Sequence, residues 1–214
     1  YSENGAAESM SAENTFAGNR FSAGRKQGVP GILLAAPASG SGKTAISCAL
    51  MAAFQKKELA VKACKCGPDY IDPMFHREVL GVDSENLDLF FTEPEQLRHL
   101  FMQIVSDNPY LPGGGADLVL TEGVMGYYDG MSMGSDRASS YEVSKVLEIP
   151  VILVIPCKGA ALSIVPQILG MLEFRKDAPV GGIILNHVSG MLYPKLKHTI
   201  ETELKKKRYS LPVI

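Results

Sequence analysis

A lysine placed just after a glycine-rich turn is one way a chain can hold a phosphate group, and Pro37–Thr44 (PASGSGKT) has that arrangement. Gly40 and Gly42 let the backbone wrap an anion, so that successive N–H groups and the start of a following helix present positive potential. Ser39, Gly40, Ser41, Gly42, Lys43 and Thr44 are therefore the candidate nucleotide-binding residues, with ATP the expected nucleotide. Lys43 would reach the β- and γ-phosphates, and the Thr44 hydroxyl would hold Mg²⁺. The full pattern asks for glycine where Pro37 stands. The setting, an apolar run before the loop and an amphipathic run after it, favours the reading nonetheless.

Two further segments place chemistry beside this loop. Lys65–Pro73 (KCGPDYIDP) closes a second apolar run, and the carboxyl ends of buried parallel strands face the ligand crevice. Lys65 there would neutralise phosphate charge, and Asp69 or Asp72 would coordinate Mg²⁺. A Gly-Pro-Asp turn carrying solvated charges is the plainer alternative. In Asp117–Gly130 (DLVLTEGVMGYYDG), Glu122 just past the strand is placed to hold Mg²⁺ or its waters. Tyr127, Tyr128 and Asp129 read equally as packing and turn residues. Asp88, in Asn86-Leu87-Asp88, either reaches the cleft or caps a turn. Asn186, ending the run GIILN, has an amide able to pair with adenine through one donor and one acceptor. His76, His99, His187 and His198 lack metal spacing and read as surface or satisfied core residues.

These residues need elements to carry them. Apolar runs at 31–36, 59–65, 117–121, 151–155 and 182–185 read as strands, and 44–57, 94–105, 141–147, 162–174 and 194–207 read as helices. The alternation predicts an α/β, three-layer phosphate-loop NTPase fold: a mostly parallel sheet with helices on both faces. Residues 29–214 form one ATP-binding α/β domain in this reading. Residues 1–28, rich in Ser, Ala, Gly, Asn and Glu, read as a disordered tail or expression remnant. Asn108–Gly115 (NPYLPGGG) reads as a loop. The chain opens on Tyr1 and stops at Leu211–Ile214, which reads as the start of a strand, so a fragment of something longer is expected. A net charge of −2 over 214 residues gives no basic field for nucleic acid or an anionic membrane. No apolar stretch reaches the roughly 20 residues of a membrane span. The 4 cysteines lack zinc-ligand spacing and read as reduced thiols in a cytoplasmic-type protein, with Cys64 and Cys66 on alternate faces of a strand.

SGSGKT, KCGPDYIDP, NLD and EGVMGYYDG together resemble the N-terminal synthetase domain of the cobyrinic acid a,c-diamide synthase family, from about Gly31 to Ile214. The resemblance implies ATP-dependent amidation of the a- and c-acetate carboxylates of a corrinoid or related tetrapyrrole, through phosphorylation and displacement by ammonia. It implies Lys43, Lys65, Asp69 and Asp72 as catalytic residues, Thr44, Asp69 and Glu122 at the metal, and Tyr70, Ile71, Asp72 and Asp88 at the substrate. In that family a C-terminal glutamine amidotransferase domain supplies the ammonia. Its Cys nucleophile and His partner have no counterpart here, so free ammonia or a separate domain is the expected nitrogen source. A homodimer with a shared site is an association the resemblance allows.

Two other classes compete. A nucleotide-dependent switch is disfavoured by Ala38, which stands where dimeric partitioning-type ATPases carry a second loop lysine, and gives the GPDYID box no task. A dethiobiotin synthetase-like enzyme on a small substrate lacks that box as well.

Overall fold

In the computed structural model, residues 31–106 and 115–214 are described. The tail assigned to 1–28 and nearly all of the loop at 108–115 lie outside the described residues. In chain order the elements are β1 (Gly31–Ala35), α1 (Lys43–Gln55), β2 (Val61–Cys66), α2 (Ile71–Leu80), β3 (Ser84–Leu87) and α3 (Pro94–Ser106). There follow β4 (Leu118–Glu122), α4 (Ser140–Leu147), β5 (Val151–Pro156), α5 (Ile164–Glu173), β6 (Val180–Asn186) and α6 (Tyr193–Lys206). The six strands form one sheet in the order β3-β2-β4-β1-β5-β6, every pairing parallel. Val213 adds an isolated parallel bridge to Ile183, so the residues read as a strand start do begin to pair at the β6 edge.

Alternation along the strands divides the core in two. Leu34, Ala63 and Leu120 point to one face, with Met51 of α1 and partly buried Leu80 of α2. Leu33, Cys64, Val119, Leu153 and Ile183 point to the other, under α3, α4, α5 and α6. Right-handed crossovers require this split, because the chain moves one way along the sheet from β1 to β3 and the opposite way from β3 to β6. Cys64 and Cys66 share a face, contrary to the sequence expectation, as residues two apart on a strand must.

Two elements went unread in the sequence. Helix α2 turns Pro73 and His76 inward and leaves Ile71, Met74, Phe75 and Val79 exposed, the reverse of the usual pattern. Strand β3 (SENL) is short and polar, and is fixed by pairing with β2 rather than by its own apolar content.

Candidate functional site

The carboxyl ends of β1, β2 and β4 lie side by side, so the loops that follow them converge. After β1 the chain makes the glycine-rich turn, with Gly40 at φ +75° and Gly42 at φ +90°, and enters α1 at Lys43. A β-carbon on Gly42 would sit 2.2 Å from Asn186 Nδ2, so that amide would have to move. Ser41 Oγ donates to Ala38 O at 2.8 Å, closing the loop on itself. Lys43 Nζ curls back and donates to Met125 O at 2.6 Å and to Ala38 O at 3.4 Å. Burial pushes the Lys43 pKa below its usual value, with the Glu122 charge opposing and nearby Lys65 adding to the depression.

From β4, Glu122 enters this space almost wholly buried. Its Oε1 accepts from Thr44 Oγ1 at 2.6 Å and from Lys65 Nζ at 2.8 Å. Lys65, one register step across on β2, also donates to Asp72 Oδ2 at 2.5 Å and lies 3.8 Å from Asp69 Oδ2. Burial alone would lower the Lys65 pKa; the Glu122 charge and the hydrogen bonds to Asp72 and Glu122 outweigh it and leave it raised. An ammonium buried among carboxylates is held charged in this way.

Asp69 also orders the Gly-Pro-Asp turn: its Oδ1 accepts from Ile71 N at 2.9 Å, starting α2. Tyr70 and Ile71 are exposed, the former 75%, and available to a ligand outside the phosphate cradle. Asn86, which carried no assigned task, donates Nδ2 to both Gly67 O and Asp69 O at 2.7 Å and so pins the Gly-Pro-Asp turn from β3. Asp88 Oδ1 accepts from Phe90 N at 2.8 Å, the turn-capping arrangement. Asn186 uses both amide ends within the protein: Nδ2 donates to Ser41 O and Oδ1 accepts from His187 N, each at 2.9 Å. It therefore braces the phosphate loop, and pairing with a base would first require those contacts to open. Ser39 and Gly40 are exposed at the loop tip.

The rest of the Glu122 segment does structural work. Tyr127 is buried, its hydroxyl 3.0 Å from Ser144 Oγ, and Tyr128 OH donates to Met171 O at 2.6 Å. Burial drives both phenol pKa values upward. Asp129 Oδ2 accepts from Gly126 N at 2.8 Å, tightening the turn. Ser140 Oγ, another residue not singled out in the sequence, accepts from Val124 N at 2.9 Å and anchors the same loop to α4. His76 departs from the expectation of a surface or satisfied core residue: it is fully buried with Nδ1 2.9 Å from Ser84 Oγ, and Nε2 has no partner among the described residues.

Among the described residues no group of three or more His, Cys, Asp or Glu forms a protein-only metal cage. Mg²⁺ held by one or two carboxylates together with nucleotide phosphates needs none. The oxygen donors Thr44 Oγ1 and Glu122 Oε1, 2.6 Å apart, fit such an ion. Among the described residues no helix is long and apolar enough to cross a membrane.

Residues 32–214 match the family described as the CobQ/CobB/MinD/ParA nucleotide binding domain. Among individual relatives, the chain is 40% identical over 158 residues to a hydrogenobyrinate a,c-diamide synthase of Brucella anthropi, covering 74% of this chain and 34% of the relative. It is 41% identical over 157 residues to a cobyrinate a,c-diamide synthase of Gloeobacter violaceus, covering 73% and 33%. The chain thus spans about a third of the length of the curated relatives it matches. Among solved structures, chloroplast FtsY of Physcomitrella patens superposes with a TM-score of 0.56 at 17% identity, covering 89% of this chain and 58% of that one. The hydrogenase maturation factor HypB of Archaeoglobus fulgidus does so with a TM-score of 0.51 at 13% identity, covering 87% and 81%. Both likenesses speak to the α/β phosphate-loop fold alone.

Proposed function

This chain belongs to the CobQ/CobB/MinD/ParA nucleotide binding domain family, and on that premise we propose that it is the synthetase part of an ATP-dependent amide ligase acting on the a- and c-acetate carboxylates of a corrinoid or related tetrapyrrole. The observation that carries the reading is the junction of Lys65 and Asp72, from the GPDYID box, with Glu122 and Thr44 of the phosphate site. A box that served only as a surface turn would have no cause to send a buried lysine to the acid that meets the phosphate loop.

A carboxylate is a poor electrophile, and phosphorylation gives it a leaving group. One carboxylate oxygen attacks the γ-phosphorus, the bond to the bridging oxygen breaks, and ADP departs. Ammonia then attacks the acyl carbon, the C–O bond to phosphate breaks, and inorganic phosphate leaves as the nitrogen loses a proton. The protein's share is positioning and charge neutralisation. In this reading the 39–44 loop cradles the phosphates while Lys43 leaves Met125 O for them. Lys65 screens the transferring group, and Tyr70, Ile71, Asp72 and Asp88 orient the tetrapyrrole acid. Asn186 holds the loop to which the nucleotide binds. Thr44, Glu122 and one of Asp69 or Asp72 would hold Mg²⁺, which neutralises charge on the phosphates when bound. No general base is needed for an acid already ionised at neutral pH. The nitrogen comes from a glutamine amidotransferase domain or from free ammonia.

The test supplies cobyrinic acid, ATP, Mg²⁺ and a ¹⁵N-ammonium salt and follows ADP release together with ¹⁵N incorporation by mass spectrometry. The expected result is ¹⁵N amide formed in step with ADP. ADP release indifferent to every tetrapyrrole acid, with no labelled amide, would overturn the reading.

A further inference from the structure

Among the described residues five buried side-chain atoms lack hydrogen-bond partners, and three of them, Ser47 Oγ of α1, His76 Nε2 of α2 and Glu122 Oε2 of β4, come from elements that pack on one another. They belong to the same interface. Glu122 lies two residues beyond Leu120 on β4 and shares its face, the one covered by α1 and α2. On α1, Ser47 stands one turn beyond Thr44, which bonds Glu122, and one turn before Met51, which packs in the core of that face. On α2, His76 stands one turn beyond Asp72, which bonds Lys65, and one turn before Leu80, which packs on the same core. Each residue therefore occupies the step between the site above and the apolar core below. Ser47 and His76 are both 0% exposed and Glu122 is 1% exposed, so bulk solvent does not satisfy them. The ring of His76 is held at Nδ1 by Ser84 Oγ, 2.9 Å away, which limits its rotation.

Leaving a buried polar atom unsatisfied is destabilising, so three at one interface call for a common partner. None of the three hydrogen-bonds another. An internal water with three polar neighbours has the coordination such waters usually show.

We propose that His76 and Ser47 are positioning residues for Glu122, holding its free Oε2 through one internal water at the junction of α1, α2 and β4. With that oxygen held, Oε1 is left to face Thr44, Lys65 and the magnesium that the nucleotide brings. Neither residue touches the nucleotide or the substrate; both act through the orientation of one carboxylate. The inference rests on the phosphate-site assignment of the proposed function but not on the identity of the acid substrate.

The test uses this chain, a fluorescent ATP analogue and a Mg²⁺ titration, with three substitutions at one position. His76→Leu removes both nitrogens at similar volume. His76→Asn keeps an amide near the Nδ1 position and loses Nε2, whereas His76→Gln reaches the Nε2 position. His76→Leu should raise the Mg²⁺ concentration for half-saturation of nucleotide binding about tenfold. His76→Gln should restore the wild-type value within about twofold, and His76→Asn should not. An unchanged Mg²⁺ requirement in His76→Leu, or equal rescue by Asn and Gln, would overturn the proposal. Should His76→Leu fail to fold, Ser47→Ala carries the same expectation with an effect of about threefold, and no effect there overturns it. A wild-type chain that binds Mg²⁺-nucleotide yet amidates no tetrapyrrole acid contradicts the ligase reading alone.

Discussion

The two faces of the sheet are built differently. Under α3 to α6, about thirty buried apolar side chains form a continuous core that includes Tyr127, Tyr141, Ile168 and Ile200. Under α1 and α2 the described residues give five, Leu34, Met51, Ala63, Val82 and Leu120, and beside them lie the buried polar side chains of Ser47, Lys65, His76 and Glu122. Burial of apolar area is the main favourable contribution to folding, so the larger face carries most of the stability. The smaller one is where charges can be buried for use. The segment 122–129 is divided along the same line: Glu122 goes to the polar cluster, and Tyr127 and Tyr128 go to the aromatic packing on the other side. The separation means that changes to one face should register in binding and chemistry, and changes to the other in stability.

The strongest way to sharpen that contrast is Lys43→Ala. It removes the positive charge nearest the phosphates and should lower nucleotide turnover by about 10²–10³-fold, measured as the initial rate of ADP release. Near-normal turnover would take Lys43 out of the site.

Ile168→Ala, on α5 in the middle of the large core and 0% exposed, should do the opposite. The expected loss is about 2–5 kcal/mol of stability in urea unfolding, with nucleotide affinity unchanged while the chain is folded. A parallel fall in affinity would mean that the two faces do not act separately.

A pH series probes the polar face without a ligand. Burial holds the His76 pKa below its usual 6.5, with Lys65 and Arg77 acting in the same sense and Glu122 and Asp72 against it. Between the lowered folded value and 6.5 the unfolded chain binds more protons, so stability rises with pH across that window and is lost as pH falls through it. Urea midpoints should decline below about pH 6.5, and His76→Leu should flatten that decline. An unaltered slope would assign it to other groups.

The smallest effect is expected of Tyr127→Phe, which removes the hydroxyl facing Ser144 and leaves the ring. The cost should be about 1 kcal/mol, read from the urea midpoint, with ADP release unchanged. A larger effect on turnover than on stability would bring Tyr127 into the chemistry.

How much of this was legible in the sequence follows from the same asymmetry. Strands such as Val151–Pro156 and helices such as Pro94–Ser106 bury their apolar residues with the expected period, and their positions could be read within a few residues. Helix α2 escaped because its inward residues are a proline and a histidine while its apolar ones face outward. Its partner β3 escaped because four polar-rich residues carry no period. That the 39–44 loop, Lys65, Asp72 and Glu122 come together was legible because glycines, a lysine and acids at strand ends are chemically distinctive. Asn86, Ser140 and the carbonyl of Met125 were not, since a residue that acts by pinning backbone from a neighbouring strand leaves no local signature.

The central claim is that the γ-phosphate is transferred to a carboxylate presented by the 65–73 segment. A tetrapyrrole acid labelled with ¹⁸O in its acetate carboxylates, turned over with ATP, Mg²⁺ and ammonium, tests it most directly. The account predicts one ¹⁸O atom in each inorganic phosphate released, because the oxygen that attacked phosphorus leaves with it. Amide formed while the phosphate remains unlabelled would contradict the claim.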